Sequence, residues 1–270
     1  MSNRSTKVKI EDSLGNMLLA IDLGNTNLTI GLFRGETLQA HWRLSTDPTR
    51  MPDEYGLQML NLLQNCGCLE PQLNGVVFSS VVPPLTERIQ QACQDYLHME
   101  ALTVTSQLKL NIRIMYDDPQ AVGADRIADA VAVQQLYGGP ACVIDFGTAT
   151  TFNALTAEGE YLGGAILPGI GTASEALVSR TSRLPPFELK TPPSVIGRNT
   201  QHALQAGMIF GYAAMVEGLV ARFRAELGKQ MKVIATGGHV QKIADHTQSI
   251  QRVEPWLTLD GLRIIWELNR

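Results

Sequence analysis

Two short stretches constrain the fold of this chain more than any others: AIDLGNTN at 20–27 and VIDFGTAT at 143–150. Each reads small apolar, Ile, Asp, apolar, Gly and then small polar residues, which puts Asp22 and Asp145 at the same place in both. Each follows an apolar run, MLLAI or ACVI, and leads into strand-like sequence, LTIGLF or TTFNAL. A strand, a tight glycine-bearing turn and a second strand make a β-hairpin. The same hairpin twice, half a chain apart, implies an internal duplication, with two domains that each open on it.

The rest of the pattern is α/β. NGVVFSSVVP (74–83) reads as a strand ended by prolines, and PLTERIQQACQDYL (84–97) as a helix with Leu85, Ile89, Ala92 and Leu97 on one face. ADRIADAVAVQQLYGGP (124–140) reads as a helix stopped by Gly-Gly-Pro. TASEALVSR (172–180) opens on a Thr-x-x-Glu capping box. Residues 204–227 form a long helix rich in small residues, 232–238 a strand entering a glycine turn, and 261–268 a closing helix. Strands alternating with helices imply layered α/β domains. We place them at 17–137 and 138–270, behind an N-terminal extension, 1–16, read as a mobile tail. The Pro-rich stretch 184–195 is a loop long enough to be functional.

Composition narrows the class. The chain is 44% apolar and 18% charged, as in ordinary globular proteins. A formal net charge of −4 and the lack of a basic stripe argue against nucleic acid as a partner. No apolar run is expected to span a membrane, and residues 1–16 lack the apolar core of a secretory signal. Cys66, Cys68, Cys93 and Cys142 form no CxxC pair, so reduced thiols in a cytoplasmic protein are expected.

There is no GxxxxGK[ST] phosphate loop, and Gly169-Ile-Gly171-Thr-Ala-Ser174 departs from the dinucleotide fingerprint at its last position. The hairpins offer another route to phosphate. Backbone N–H groups of a tight turn can converge on an anion. Asn25, Thr26 and Asn27 add donors in the first hairpin, and Thr148, Thr150 and Thr151 in the second. Asp22 and Asp145 then fall where a cation or its water shell would sit beside phosphates. Asp and Gly also simply make turns, but the acid recurs at one offset in both copies. In GADRIADAVA, Asp125 stands at a helix start between Gly123 and Arg126. It is either an N-cap or a general base facing a substrate hydroxyl. In ATGGH (235–239), paired glycines after a strand either make a plain turn or let a flat ring approach the backbone; His239 follows them.

Taken in order, the motifs Asp22-Leu-Gly-Asn-Thr26, Gly123-Ala-Asp-Arg126, Asp145-Phe-Gly-Thr-Ala-Thr-Thr151, Tyr161-Leu-Gly-Gly-Ala-Ile166, Val195-Ile-Gly-Arg-Asn-Thr200, Ala235-Thr-Gly-Gly238 and Leu257-Thr-Leu-Asp-Gly-Leu262 resemble those of type III pantothenate kinases. These belong to the sugar kinase, heat-shock chaperone and actin superfamily, and the resemblance runs from residue 17 to about 269. It implies a duplicated ribonuclease-H-like (actin-like ATPase) fold, with two similar domains whose mixed sheets are flanked by helices. It also implies a reaction, the ATP-dependent phosphorylation of pantothenate, which opens coenzyme A synthesis. Asp125 is then similar to the family's proton acceptor. Asp22, Leu23, Gly24, Asn25, Thr26, Asn27, Leu28 and Thr29 resemble the first phosphate-binding segment, with Asp22 near Mg²⁺ through water. Thr148 resembles a phosphate contact, and Gly237 and Gly238 lie toward adenosine. Tyr116, Gly123, Ala124, Asp125, Arg126 and Thr200 match substrate-contacting positions, Arg126 being placed for the carboxylate. Asp145 resembles the ligand of a monovalent cation, K⁺ or NH₄⁺. The resemblance further implies a homodimer.

The chain departs from the pattern in places. Asn153 stands where many relatives carry Asp, and Asp118-Pro and Gln120-Ala121 replace the commoner Asn-Pro and x-Glu before GADR. Two other readings fit the hairpins: a nucleotide-binding regulator of the same fold, and another small-molecule kinase or phosphohydrolase of the superfamily. Gly123–Arg126, Tyr116 and Thr200 favour pantothenate.

Overall fold

The computed structural model describes residues 17–67 and 73–270. The N-terminal extension and Cys68 lie outside the described residues. The chain packs as two units, the first ending at Thr103 and the second spanning Val104–Arg270.

The first unit opens on the expected hairpin. Strand β1 (Met17–Leu23) pairs antiparallel with β2 (Asn27–Arg34), placing Asp22 opposite Thr29. β3 (Thr37–Ser45) extends the meander. After helix α1 (Pro52–Asn65), β4 (Leu73–Ser80) lies parallel to β1; after α2 (Pro83–Leu97), β5 (Ala101–Thr103) lies parallel to β4. The sheet order is β3-β2-β1-β4-β5. β1 is apolar on both faces because it is central, while Leu85, Ile89, Ala92, Cys93 and Leu97 give α2 one buried stripe at helical spacing. Leu19, Ile21, Phe78, Tyr55 and this stripe form the core.

The second unit repeats the plan. After β6 (Arg113–Ile114) and α3 (Ala124–Leu136), β7 (Ala141–Phe146), β8 (Ala149–Leu155) and β9 (Glu160–Pro168) form an antiparallel meander. Helices α4 (Ile170–Ser179) and α5 (Thr200–Leu227) lead to β10 (Lys232–Thr236), parallel to β7. α6 (Val240–Ala244), β11 (Arg252–Val253) and α7 (Leu257–Asn269) complete the unit. The order β11-β10-β7-β8-β9-β6 contains β9-β8-β7-β10-β11, which matches β3-β2-β1-β4-β5 strand for strand in position and direction. The duplication seen in two octapeptides is therefore a duplication of whole sheets, with β6 added at one edge.

Three readings of the sequence change here. Residues 104–137, expected with the first domain, pack with the second unit, because α3 lies on β7 and β8 and crosses α7. That crossing is close: a Cβ on Gly261 of α7 would lie 2.0 Å from the Ala128 carbonyl oxygen of α3. The capping box at Thr172 does not form. α4 begins at Ile170 behind Gly169, and the Thr172 hydroxyl, inside the helix, donates to the Thr148 carbonyl at 2.7 Å. Finally, α5 is long and apolar enough to cross a membrane by length and composition, contrary to the expectation of no such run. Ile209, Ala213, Val216 and Val220 recur every three or four residues and pack with Ile144, Phe146 and Phe152, as in a core helix.

Cys93 and Cys142 are buried thiols pushed up to about 12 by desolvation, and Cys66 is exposed.

Candidate active site

The chemistry-bearing residues fall at the turn of each hairpin and at the start of α3.

In the first unit, Asp22 lies one residue from the end of β1 and accepts a hydrogen bond from the Ser79 hydroxyl on β4 at 2.7 Å. Ser79 is fully buried, so the neighbouring parallel strand fixes this carboxylate. The turn is tied at both ends. Gly24 N–H donates to the Asn27 carbonyl at 2.9 Å, while Thr46 donates through its hydroxyl to Gly24 O at 2.6 Å and through its N–H to Thr26 O at 2.9 Å. Asn25, Thr26 and Asn27 are exposed at the tip, and Leu23 and Leu28 are buried. The two leucines thus belong to the core through their side chains and can meet a ligand only through their backbone.

In the second unit, Asp145 sits one residue from the end of β7, between Thr151 of β8 and Thr236 of β10. Strand alternation puts it on the Val143 face, opposite Cys142, Ile144 and Phe146, which pack with α5. Two glycines frame its carboxylate. A Cβ on Gly147 would lie 3.2 Å from Oδ2, and one on Gly237, whose φ is +99°, would lie 2.3 Å from Oδ1. Gly237 therefore carries no side chain because the acid occupies that space. Gly238 is exposed beside it. His239 N–H donates to Phe146 O at 3.3 Å, with Nε2 3.3 Å from where a Gly171 Cβ would be, so the ring packs against α4.

The three threonines expected to act together do not. Thr148 is exposed at the turn, where its carbonyl takes bonds from Gly169 N–H and Thr172. Thr151 accepts from the Asn153 amide at 3.2 Å. Thr150 is fully buried, and among the described residues its hydroxyl has no hydrogen-bond partner. Alternation turns it to the Phe152 face, away from Asp145.

At the start of α3 the N-cap is Gly123, not Asp125. Asp125 lies inside the first turn, where Oδ1 takes the Arg126 N–H at 2.8 Å. Desolvation by burial raises its carboxyl above the ordinary value, against the opposing pull of the Arg126 N–H and guanidinium charge. Arg126 is itself buried. Its Nε donates to Asn153 Oδ1 at 2.7 Å, and its guanidinium lies 5.7 Å from the centre of the Tyr161 ring. Tyr161 O–H donates to the same Asn153 oxygen at 2.9 Å. Its phenol, pushed up to about 12 chiefly by burial, stays a donor. Tyr116 stands 6.5 Å from Tyr161, ring centre to centre. It packs on Gly163, where a Cβ would come within 2.9 Å of the Tyr116 ring.

The structure thus gathers Asp125, Arg126 and Tyr116 with Tyr161 and Asn153. Gly123 and Ala124 supply the turn. Thr200 is not in this hydrogen-bonded group: it is exposed at the first turn of α5, which Asn199 caps by accepting the His202 N–H at 2.8 Å. The sequence offered no sign of Ser79 or Thr46. It marked Asn153 only as a departure and Tyr161 only as the first residue of a motif. Among the described residues no three His, Cys, Asp or Glu side chains cluster as a metal site.

Comparison with known proteins bears on the family and the fold. The family model described as type III pantothenate kinase matches residues 18–222. A type III pantothenate kinase of Roseiflexus sp. (strain RS-1) is 50% identical over 94% of this chain and 100% of its own length. One from Moorella thermoacetica is 47% identical with the same coverage. Among solved structures, one described as a Baf family transcriptional activator from Campylobacter jejuni aligns over 92% of this chain and 97% of its own, with 20% identity and a TM-score of 0.60. An inorganic polyphosphate/ATP-glucomannokinase from Arthrobacter sp. strain KM aligns over 94% and 99%, with 13% identity and a TM-score of 0.50. At these identities the solved structures speak for the fold alone.

Proposed function

Since the chain belongs to the type III pantothenate kinase family, we propose that it transfers the γ-phosphoryl group of ATP to the primary hydroxyl of pantothenate. The products are ADP and 4'-phosphopantothenate, and the reaction opens coenzyme A synthesis. The observation that carries the chemistry is the adjacent pair at the start of α3: a carboxylate made more basic by burial, beside a buried, fixed cation.

Phosphoryl transfer asks the protein mainly for positioning and for neutralisation of charge. The hydroxyl oxygen bonds to the γ-phosphorus, the bond to the β,γ-bridging oxygen breaks, and its electron pair leaves with ADP. Asp125 orients the hydroxyl and takes its proton. A base with a raised pKa is better matched to that task than an ordinary surface carboxylate. Arg126 takes the substrate carboxylate, with Tyr116, Gly123, Ala124 and Thr200 as the remaining substrate contacts. The Asp22–Thr29 turn, with exposed Asn25, Thr26 and Asn27, and exposed Thr148 suit the ATP phosphates. The exposed backbone at Gly238, with Gly237 beside it, suits adenosine.

Asp22 takes the Ser79 hydroxyl, and the glycine-framed Asp145 is flanked by two threonines. Oxygen surroundings of this kind fit hard cations. A single acid in each place is consistent with Mg²⁺ held by Asp22 through water and K⁺ or NH₄⁺ held by Asp145. When bound, such ions supply positive charge beside the phosphates. Exposed Leu162 and Ile166 on β9 and exposed Met115 support a homodimer. We place the protein in the cytoplasm.

The test is ADP release with ATP, Mg²⁺ and pantothenate, with and without K⁺ or NH₄⁺. Pantothenate-dependent release is expected. Its absence under every cation would overturn the reading, and a rate indifferent to monovalent cations would remove the role given to Asp145.

A further inference from the structure

The two sheets agree in more than strand order. Asp22 of β1 lies opposite Thr29 of β2 and Ser79 of β4, and Asp145 of β7 lies opposite Thr151 of β8 and Thr236 of β10. Residues directly opposite one another in neighbouring strands point to the same face. In the first sheet that face is the reverse of the one carrying Leu19, Ile21 and Phe78, which pack with α1 and α2. In the second it is the reverse of the one carrying Ile144, Phe146 and Phe152, which pack with α5. Each acid is therefore flanked, on its own face, by one hydroxyl residue from an antiparallel strand and one from a parallel strand. The parallel-strand residues, Ser79 and Thr236, are both buried. A buried hydroxyl is unfavourable unless it is bonded, so strand packing alone gives no reason for one at this register in both sheets.

In the first sheet the bond is explicit: Ser79 O–H donates to Asp22 Oδ1 at 2.7 Å. The last torsion of an aspartate is broad, so a carboxylate near a strand end can rotate unless something holds it. A carboxylate is planar, and a bond that fixes Oδ1 also fixes where Oδ2 points. Mg²⁺ keeps several of its waters in near-ideal octahedral positions. A carboxylate that meets the ion through those waters must therefore present its oxygens in set directions. Phosphates held by backbone N–H groups of the turn make no such demand on Asp22.

We infer that Ser79 is a positioning residue: from β4 it sets the direction of the Asp22 carboxylate and, through it, the affinity of the nucleotide site for Mg²⁺. The inference rests on the reading of Asp22 as the acid facing Mg²⁺ through water. It adds that this acid works as a pair with a buried hydroxyl, in an arrangement whose counterpart in the second sheet is Asp145 with Thr236.

The experiment titrates Mg²⁺ against wild type, Ser79→Ala, Ser79→Thr and Asp22→Asn at a fixed ADP concentration and follows the melting temperature, which needs no turnover. In wild type, Mg²⁺ is expected to raise the melting temperature. In Ser79→Ala the Mg²⁺ concentration at the midpoint of that rise should increase about tenfold, at the lower end of what loss of a partner behind a metal-site carboxylate costs. ADP affinity without Mg²⁺ should change little. The midpoint is insensitive to a general loss of stability, which moves the whole curve instead. Ser79→Thr carries the hydroxyl found at the corresponding place in the second sheet and should titrate like wild type. A wild-type midpoint in Ser79→Ala, or Ser79→Thr titrating like Ser79→Ala, would overturn the inference while leaving the reading of Asp22 intact, provided Asp22→Asn shifts the midpoint. Asp22→Asn titrating like wild type, or a wild-type melting temperature indifferent to Mg²⁺, would overturn the reading of Asp22 and the inference with it.

Discussion

Gly237 and Asp145 share one space: the backbone of Gly237, at φ +99°, passes so close to the acid that a Cβ would lie 2.3 Å from Oδ1 and 2.6 Å from the Phe146 backbone. Gly237→Ala must therefore strain the turn and displace the carboxylate together. Residues forced into such conformations cost about 1–3 kcal/mol. We expect a melting temperature lower by several degrees and a higher K⁺ or NH₄⁺ concentration for half-maximal rate. Calorimetry and a cation titration check this, and unchanged values in both would remove the coupling between the glycine turn and the acid.

Asp125 gives a prediction whose sign depends on pH. Burial raises its carboxyl in the folded chain, so the folded state binds that proton more tightly than the unfolded state does. The contribution of this group to stability is then fully present below the ordinary value of 3.8 and is lost as pH rises through the raised one. Asp125→Asn, neutral throughout, should melt higher than wild type at pH 7, with the gain vanishing toward pH 3.8. Turnover should fall by about 10²–10⁴-fold, the usual worth of a general base. Melting curves across pH, alongside steady-state rates, check both parts. For wild type, kcat/KM should rise with pH through the raised value, since the base must be ionised to act.

The α3–α7 crossing depends on Gly261. A methyl there would meet the Ala128 carbonyl carbon at 2.5 Å as well as its oxygen at 2.0 Å, and both are backbone atoms that cannot swing aside. Thr258 O–H donates to buried Asp129 at 2.7 Å one turn earlier, so the helices cannot simply slide apart. Gly261→Ala should cost about 1–3 kcal/mol by overpacking. Urea unfolding checks it through a lower midpoint at unchanged slope.

Thr150 offers the opposite outcome. Its hydroxyl is buried without a partner among the described residues, on a face otherwise filled by Phe152 and α5. Replacing it with valine keeps the branched shape and removes the unpaired group, a change worth about 1 kcal/mol of added stability. Thr150→Val should melt a few degrees higher than wild type, with ATP binding unchanged. A lower melting temperature would show that the hydroxyl is satisfied.

The sequence carried the hairpins because their signals are local. An acid at a strand end and a glycine at a turn lie within a few residues of one another, and both follow from backbone geometry. Duplication doubled that signal, and the sheet orders bear it out. The α2 stripe was legible for the same reason. The capping box at Thr172 failed because a tertiary acceptor, the Thr148 carbonyl, took its hydroxyl. Thr150 and Thr151 looked alike in sequence, yet adjacent strand positions face opposite ways, and only the packing of α5 decided which face was core.

What the sequence determined by itself was the pair of acid-bearing hairpins, the alternation of strands and helices, and the string of motifs that relates the chain to its family. What only the tertiary structure decided was how each acid and cation is held. Ser79 reaches Asp22 across 57 positions and Asn153 reaches Arg126 across 27. Such contacts have no period and no fixed spacing. They arise where a neighbouring strand or a helix lying on the sheet brings distant side chains together, and there burial raises the carboxyl of Asp125 and the Asn153 oxygen fixes Arg126.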